Sequence, residues 1–237
     1  MKIKVLYEDS DILAIDKPAG ISVHPDGRPE GKKTEKTVTD WVLKNYPRMK
    51  NVGEPMGDIV RPGVVHRLDK DTSGVLILAK NQKSYEFLKA QFAGREVKKI
   101  YNAIVSGFMK DDHGVINKPI GRSPSDFRRR LAGRGARGEL REAVTEYKVL
   151  KRFSEGAKKF SYLEVKPKTG RTHQIRVHMK FLNHPVACDS LYDPKGLCPK
   201  GLKRLALHAV SIEIKTPKGK LLKVESPLSK DIKAVVK

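Results

Sequence analysis

The chain has 237 residues, enough for one large domain or two small ones, and sets 49 Lys and Arg against 27 Asp and Glu for a formal charge of +22. No apolar run approaches the roughly 20 residues of a membrane helix, and the opening MKIKVLYEDSDILAI carries acids where a secretory signal would be apolar, so a cytoplasmic, non-membrane protein is expected. The two cysteines, Cys188 and Cys198, lack the neighbours of a zinc site or a disulfide framework and are expected to be ordinary thiols. The charge points to a polyanionic partner, because Lys and Arg displace counterions from a phosphate backbone; a merely solubilising basic surface is the bland alternative.

In chain order, IKVLYE, ILAIDKPAG and ISVHP read as strands, with a Pro/Gly break after the second. DGRPEGKKTEK reads as an exposed loop, and TVTDWVLKNYP as a short helix capped by Thr37 and stopped near Pro47. NVGEPMGDIVRPG is a second loop, followed by the strand VLILAK. Tyr85, Leu88 and Phe92 recur at helical spacing, predicting a helix over 82–93 with Gly94 as its stop. KKIYNAIVSG is the next strand. Long strand-like segments follow at 141–153, 160–166, 204–215 and 220–225, with TPKGK as a hairpin turn before the last. The pattern predicts one α+β domain over residues 1–237, built on a mainly antiparallel mixed sheet in two lobes with flanking helices. Residues 121–143, rich in Arg and Gly, are expected to be a basic loop that is disordered or grips a nucleic-acid backbone.

Three short pieces carry candidate chemistry. HRLDKDTSG places Asp69 and Asp71 in a tight loop before a strand, where an Asp commonly just caps a turn. Tyr101 alternates with Ala103 and Val105 on one strand face and is, taken alone, an ordinary half-buried aromatic. In KTGRTHQIRVHMKFL, Thr172 is expected to cap a helix whose apolar face is Ile175, Met179 and Leu182. Arg171 then stands just before the helix start, while His173, Arg176 and Lys180 point elsewhere, toward phosphate or water. His66, His173 and His178 show no metal-ligand spacing, and no nucleotide fingerprint occurs, so no metal or cofactor is expected.

Together these pieces resemble the RluA-type pseudouridine synthase family at four points in the family's order: YEDSDILAIDKPAGISVHP, HRLDKDTSG, KKIYNAIVSG and GRTHQIRVHMKFLNHPVACDSLY. The resemblance runs from about residue 5 to about residue 225. It implies the pseudouridine synthase fold with a central active-site cleft, and isomerisation of uridine in ribosomal or transfer RNA, with a stem-loop as partner. It implies Asp69 as the catalytic carboxylate, Tyr101 as the active-site tyrosine and Arg171 as the basic residue that pairs with the aspartate. Arg67 would hold the target nucleotide out of its stack, Ile175 would form an apolar wall, and Asp71 would be structural. Flipping a base costs a few kcal/mol, of which stacking on a tyrosine recovers roughly 1–3 kcal/mol. Burial would push a carboxylate's pKa up, and a neighbouring guanidinium offsets that.

RNA contacts are expected from His66, Arg67, His173 and Arg176, and from Arg128, Arg129, Arg130 and Arg134 in the basic segment. Many relatives carry an N-terminal S4-type RNA-binding domain; here the matching segment starts within the first few residues, so a catalytic domain without it, and a monomer, are expected. The alternatives are a non-catalytic RNA-binding or ribosome assembly factor of the same fold, and a metal-dependent nuclease using His66, Asp69 and Asp71. Magnesium dependence and strand cleavage would mark the nuclease.

Overall fold

Strands β1 (Lys4–Glu8) and β2 (Ile12–Lys17) are joined by a turn that Asp9 closes with its own side chain, its carboxylate accepting the N–H groups of Asp11 (2.8 Å) and Ile12 (2.7 Å). β2 pairs antiparallel with β3 (Ser73–Ala79) in the register Ile15↔Leu76 and Lys17↔Gly74. Every residue of β3 is buried, so SGVLILA reads as a continuous apolar run rather than an alternation. Beside β3 lies β11 (Leu207–Lys215), and Gly74, at φ +111°, makes that approach possible: a Cβ there would sit 2.1 Å from the carbonyl oxygen of Ala209. The TPKGK turn joins β11 to β12 (Leu221–Glu225), with the Thr216 N–H bonded to the Lys220 carbonyl at 2.8 Å.

The computed structural model describes residues 1–25 and 36–237, so the polar stretch 26–36, read from sequence as a loop, lies outside the described residues except for Lys36. Helix α1 (Val38–Asn45) starts as expected at Thr37, whose hydroxyl accepts the Asp40 N–H while the Asp40 carboxylate accepts the Thr37 N–H. ISVHP is not a strand. The carbonyls of Ser22 and Val23 instead accept the N–H groups of Val38 (3.0 Å) and Thr39 (2.9 Å), two of the donors a helix start leaves open. Helix α2 (Gln82–Ala93) matches its expected bounds, and Gln91 ties it to β11 through both the N–H (2.9 Å) and the carbonyl (2.8 Å) of Lys215. These elements form one compact unit, residues Met1–Lys98 with Ala209–Pro227.

The second unit, Lys99–His208 with Leu228–Lys237, is built on an antiparallel sheet in the order β4 (Lys98–Ser106), β10 (Lys158–Pro167), β9 (Val144–Glu155), β5 (His113–Asn117). Its core packs Ile104, Phe160, Leu163 and Val165 against Ile175 and Met179 of α3 (Gln174–Phe181) and Ile232 of the C-terminal helix α4 (Lys230–Val236). Phe160 is fully buried; truncating such a side chain to Ala costs about 3–5 kcal/mol.

Two expectations are corrected here. The basic segment is not an irregular loop: β6 (Ile120–Arg122), β7 (Arg130–Ala132) and β8 (Arg137–Arg141) form a small antiparallel sheet in the order β7-β6-β8. The ladder satisfies backbone groups that a run of arginines leaves undecided in sequence. Cys188 and Cys198 are not separate thiols; they are bonded to each other, with Cα atoms 5.0 Å apart. Cys188 adopts φ 58° and its N–H reaches the Leu197 carbonyl at 3.2 Å, folding the intervening segment back on itself. Among the described residues no helix is long and apolar enough to cross a membrane.

Candidate active site

In the first unit, Asp69 stands in the turn that leads into β3, its carbonyl accepting the Thr72 N–H at 3.1 Å, with Leu68 buried before it and Thr72 and Ser73 buried after it. The turn is fixed by a residue that sequence reading passed over. Lys17, at the end of β2, is fully buried, and its ammonium donates to the carbonyls of Pro18 (3.0 Å), Ile21 (2.7 Å) and Lys70 (2.9 Å). Acceptors on several sides are what a buried ammonium requires. Gly20, at φ 81°, adds its own N–H to the Lys70 carbonyl at 2.9 Å. The residue following Asp69 is thus anchored twice. A signal was present, since a lysine ending the apolar strand ILAIDK has either to snorkel or to find carbonyls.

His66 faces inward: its Nε2 accepts the Ile77 N–H at 2.9 Å and its ring stacks on Phe92 with centroids 4.6 Å apart. That nitrogen and that ring face are taken up by the fold, which fixes the orientation of the half-buried ring. Arg67 is exposed, with Nη1 3.5 Å from Nε2 of the buried His24. Burial, aided by the charges of Arg67 and Arg61, holds the His24 pKa below its ordinary value.

In the second unit, Tyr101 is half-buried on β4, paired with Val165 of β10 and packed against the core. Two residues earlier on the same strand, hence on the same face, lies Lys99, whose Nζ donates to the Thr169 carbonyl at 3.3 Å and whose pKa burial brings down to about 8. Lys99 therefore joins the tyrosine strand to the segment that carries Arg171. Sequence reading missed it as well.

Arg171 itself is placed by a buried polar chain. The Gln174 side-chain carbonyl accepts the Arg171 N–H (3.0 Å) and the Thr169 hydroxyl (2.6 Å), while its amide donates to the Val144 carbonyl (3.0 Å) and the Thr145 hydroxyl oxygen (2.9 Å). His178 continues the chain, with Nδ1 2.8 Å from Thr145 Oγ1 and Nε2 3.0 Å from the Lys118 carbonyl. A carbonyl only accepts, so Nε2 carries the proton, Nδ1 accepts, and the Thr145 hydroxyl donates to it. Every polar atom named in the chain then has a consistent direction, and burial keeps the His178 pKa low. The Arg171 Nε donates to the Glu142 carbonyl at 2.9 Å.

The helix start differs from expectation. Its cap is His173, in the left-handed region at φ 56°, and no side chain caps it; Thr172 is exposed. Ile175, expected as an apolar wall, is buried in the core of this unit. His173 Nδ1 lies 3.0 Å from the Tyr192 hydroxyl, which also accepts the Arg130 N–H at 2.9 Å. Arg176 is the clearest correction. It is not a surface phosphate ligand but a buried partner of Asp189, bonded through Nε and Nη2 at 2.7 Å each, with side chains 8% and 0% exposed. Its guanidinium also lies 5.0 Å from the centre of the Tyr192 ring. On the basic sheet, Arg128 is held in a fork by Asp126 (3.0 and 2.8 Å), Arg129 Nε lies 3.6 Å from the same carboxylate, and Arg134 is exposed. Among the described residues no three His, Cys, Asp or Glu side chains are grouped as metal ligands, so His66, Asp69 and Asp71 do not form the cluster a metal nuclease needs.

Strand order, helices and the motif-bearing loops define an α+β protein of the pseudouridine synthase fold. A solved human structure, RNA pseudouridylate synthase domain containing 4, superposes over 98% of this chain and 91% of its own, with a TM-score of 0.71 and 26% identity. The sequence pattern described as RNA pseudouridylate synthase matches residues 11–181. An uncharacterized RNA pseudouridine synthase of Synechocystis is 37% identical over 228 residues, covering 95% of this chain and 65% of that protein. Ribosomal large subunit pseudouridine synthase D of Borreliella burgdorferi is 40% identical over 231 residues, covering 96% of this chain and 66% of that protein. The chain belongs to the RNA pseudouridylate synthase family. It spans just under two thirds of the length of these two curated relatives.

Proposed function

We propose that the protein isomerises uridine to pseudouridine within RNA. The N1–C1′ bond breaks, the uracil turns, C5 joins C1′, and the proton leaves C5 while N1 gains one. Atoms and electrons balance without a redox step, a phosphoryl transfer or an external acceptor. The observation that carries this reading is the family pattern over residues 11–181, which spans Asp69, Tyr101 and Arg171. Asp69 is the catalytic carboxylate in this proposal, Tyr101 the stacking surface for the flipped base, and Arg171 the cation that keeps a carboxylate ionised. Arg67 holds the target nucleotide out of its stack. In this proposal residues 1–237 act as one catalytic domain, monomeric and cytoplasmic, with RNA as partner.

The name of the Borreliella relative, a ribosomal large subunit pseudouridine synthase, makes large-subunit ribosomal RNA the first substrate to offer and transfer RNA the second. The test is tritium release from RNA labelled at uracil C5, in EDTA, with wild type and Asp69→Asn side by side. Release by wild type alone supports the proposal. Absence of release from both RNA classes, with tight salt-sensitive binding by both proteins, favours the non-catalytic RNA-binding reading.

A further inference from the structure

The small basic sheet places three arginines where a sheet would ordinarily avoid them. Arg122 of β6 is the cross-strand partner of Arg130 on β7 and of Arg137 on β8, so three guanidinium side chains leave one face from directly opposed positions. Opposed Cβ atoms lie roughly 4.5–5.5 Å apart, and like charges in that arrangement destabilise a sheet. The same three side chains line a cavity of about 570 Å³ together with Ser123, Ser125 and Phe127, a size within the roughly 300–1,000 Å³ of ligand pockets. Asp126 lines it as well, but its carboxylate is occupied by the Arg128 fork, which holds its pKa down at about 2.

Phe127 is 71% exposed, the most exposed large apolar side chain among the described residues, yet its turn is tightly braced. Nη1 of Arg130 donates to the carbonyls of Phe127 (3.0 Å) and Arg129 (2.9 Å), the Arg129 N–H reaches the Asp126 carbonyl (2.9 Å), and the Ser123 N–H reaches the Arg129 carbonyl (3.2 Å). A rigid backbone that presents an aromatic ring to water beside a stack of cations is preorganised for a ligand with a π-face and a negative charge.

We propose that this face binds one unpaired nucleotide of the RNA other than the reacting uridine, with its phosphate on Arg122 between Arg130 and Arg137 and its base stacked on Phe127. The assignment rests on the reading of RNA as substrate and gives that substrate a second, non-reacting contact. It also shifts the expected RNA ligands: Arg122 and Arg137 join Arg130, while Arg128 serves to neutralise Asp126.

The experiment is titration of a fluorescent RNA stem-loop with an unpaired flank by wild type, Phe127→Ala, Phe127→Trp and Arg122→Gln at several salt concentrations, with urea midpoints measured for each protein. Phe127→Ala is expected to weaken binding about 5- to 100-fold with an unchanged salt slope, and Phe127→Trp to restore it. Arg122→Gln is expected to reduce the slope of log K against log salt by about 0.7, without lowering the urea midpoint. Wild-type binding by Phe127→Ala or an unchanged slope in Arg122→Gln overturns the site; equal weakening by Ala and Trp overturns the stacking. Tritium release is measured on the same wild-type preparation. If release is absent while the binding differences hold, the isomerase reading fails and this site stands; release with neutral variants discards the site alone.

Discussion

The turn that carries Asp69 and the small basic sheet treat charge in opposite ways. At the turn, the buried Lys17 ammonium meets three backbone carbonyls, so the cation is spent on geometry. On the basic sheet, Arg122, Arg130 and Arg137 stand opposite one another at the surface, and the fold sets like charges side by side. A satisfied buried cation rigidifies what it touches, whereas a row of like charges lowers its free energy when an anion arrives. The net charge of +22 therefore covers two different physical roles, and the difference between them can be broken experimentally.

The largest effect is expected at Asp69. Asp69→Asn should lower tritium release by three orders of magnitude or more, with RNA affinity and the urea midpoint nearly unchanged; loss of affinity in step with activity would make Asp69 a binding group instead. Next comes Arg176→Ala, which leaves Asp189 as an uncompensated buried charge and should cost about 3–5 kcal/mol in urea unfolding. The double replacement Arg176→Met with Asp189→Asn, which keeps an oxygen for the Leu191 and Tyr192 N–H groups, should recover part of that loss; no recovery would mean that Arg176 acts chiefly through the Tyr192 ring. Lys17→Met removes a donor from three carbonyls, of which, among the described residues, only that of Lys70 keeps another, the Gly20 N–H, and should cost about 3 kcal/mol. It should also slow the reaction on pre-bound RNA. A variant equally stable and equally fast would remove Lys17 from the account of the Asp69 turn.

Acid stability distinguishes further. Burial lowers the folded pKa of His178 below the value of the unfolded chain, so the folded state binds fewer protons. Its contribution is fully present above the unfolded pKa of about 6.5 and is lost as pH falls toward and through the folded value. His24 in the other unit has the same sign. Urea midpoints should fall from pH 7 to pH 5, and His178→Gln should flatten part of that decline; an unaltered pH profile in the variant would assign the decline elsewhere. The smallest effect belongs to the exposed pair Arg141–Glu139: Glu139→Gln should change stability by no more than about 0.5 kcal/mol.

Legibility from sequence follows how local each interaction is. Thr37 as a cap, the helix over 82–93 and the TPKGK hairpin were readable because each depends on a few adjacent residues. ISVHP has a strand's composition, yet its carbonyls go to the start of α1, a choice that depends on what lies 16 residues further along. The bond between Cys188 and Cys198 likewise depended on a backbone reversal that their spacing does not announce.

The same division runs through the candidate residues. The motifs around Asp69, Tyr101 and Arg171 stood out as strings, since residue type and spacing are one-dimensional information. Whether an arginine faces water or an aspartate is not. Arg176 and Arg122 belong to the same class of residue in the sequence, but one is sealed against Asp189 and the other is set in a row with two more arginines. By itself the sequence determined the fold class, the family motifs and the excess of positive charge. Only the tertiary structure decided which cations are consumed inside and which remain outside, because partner choice depends on register and burial, and both arise from contacts between segments far apart in the chain.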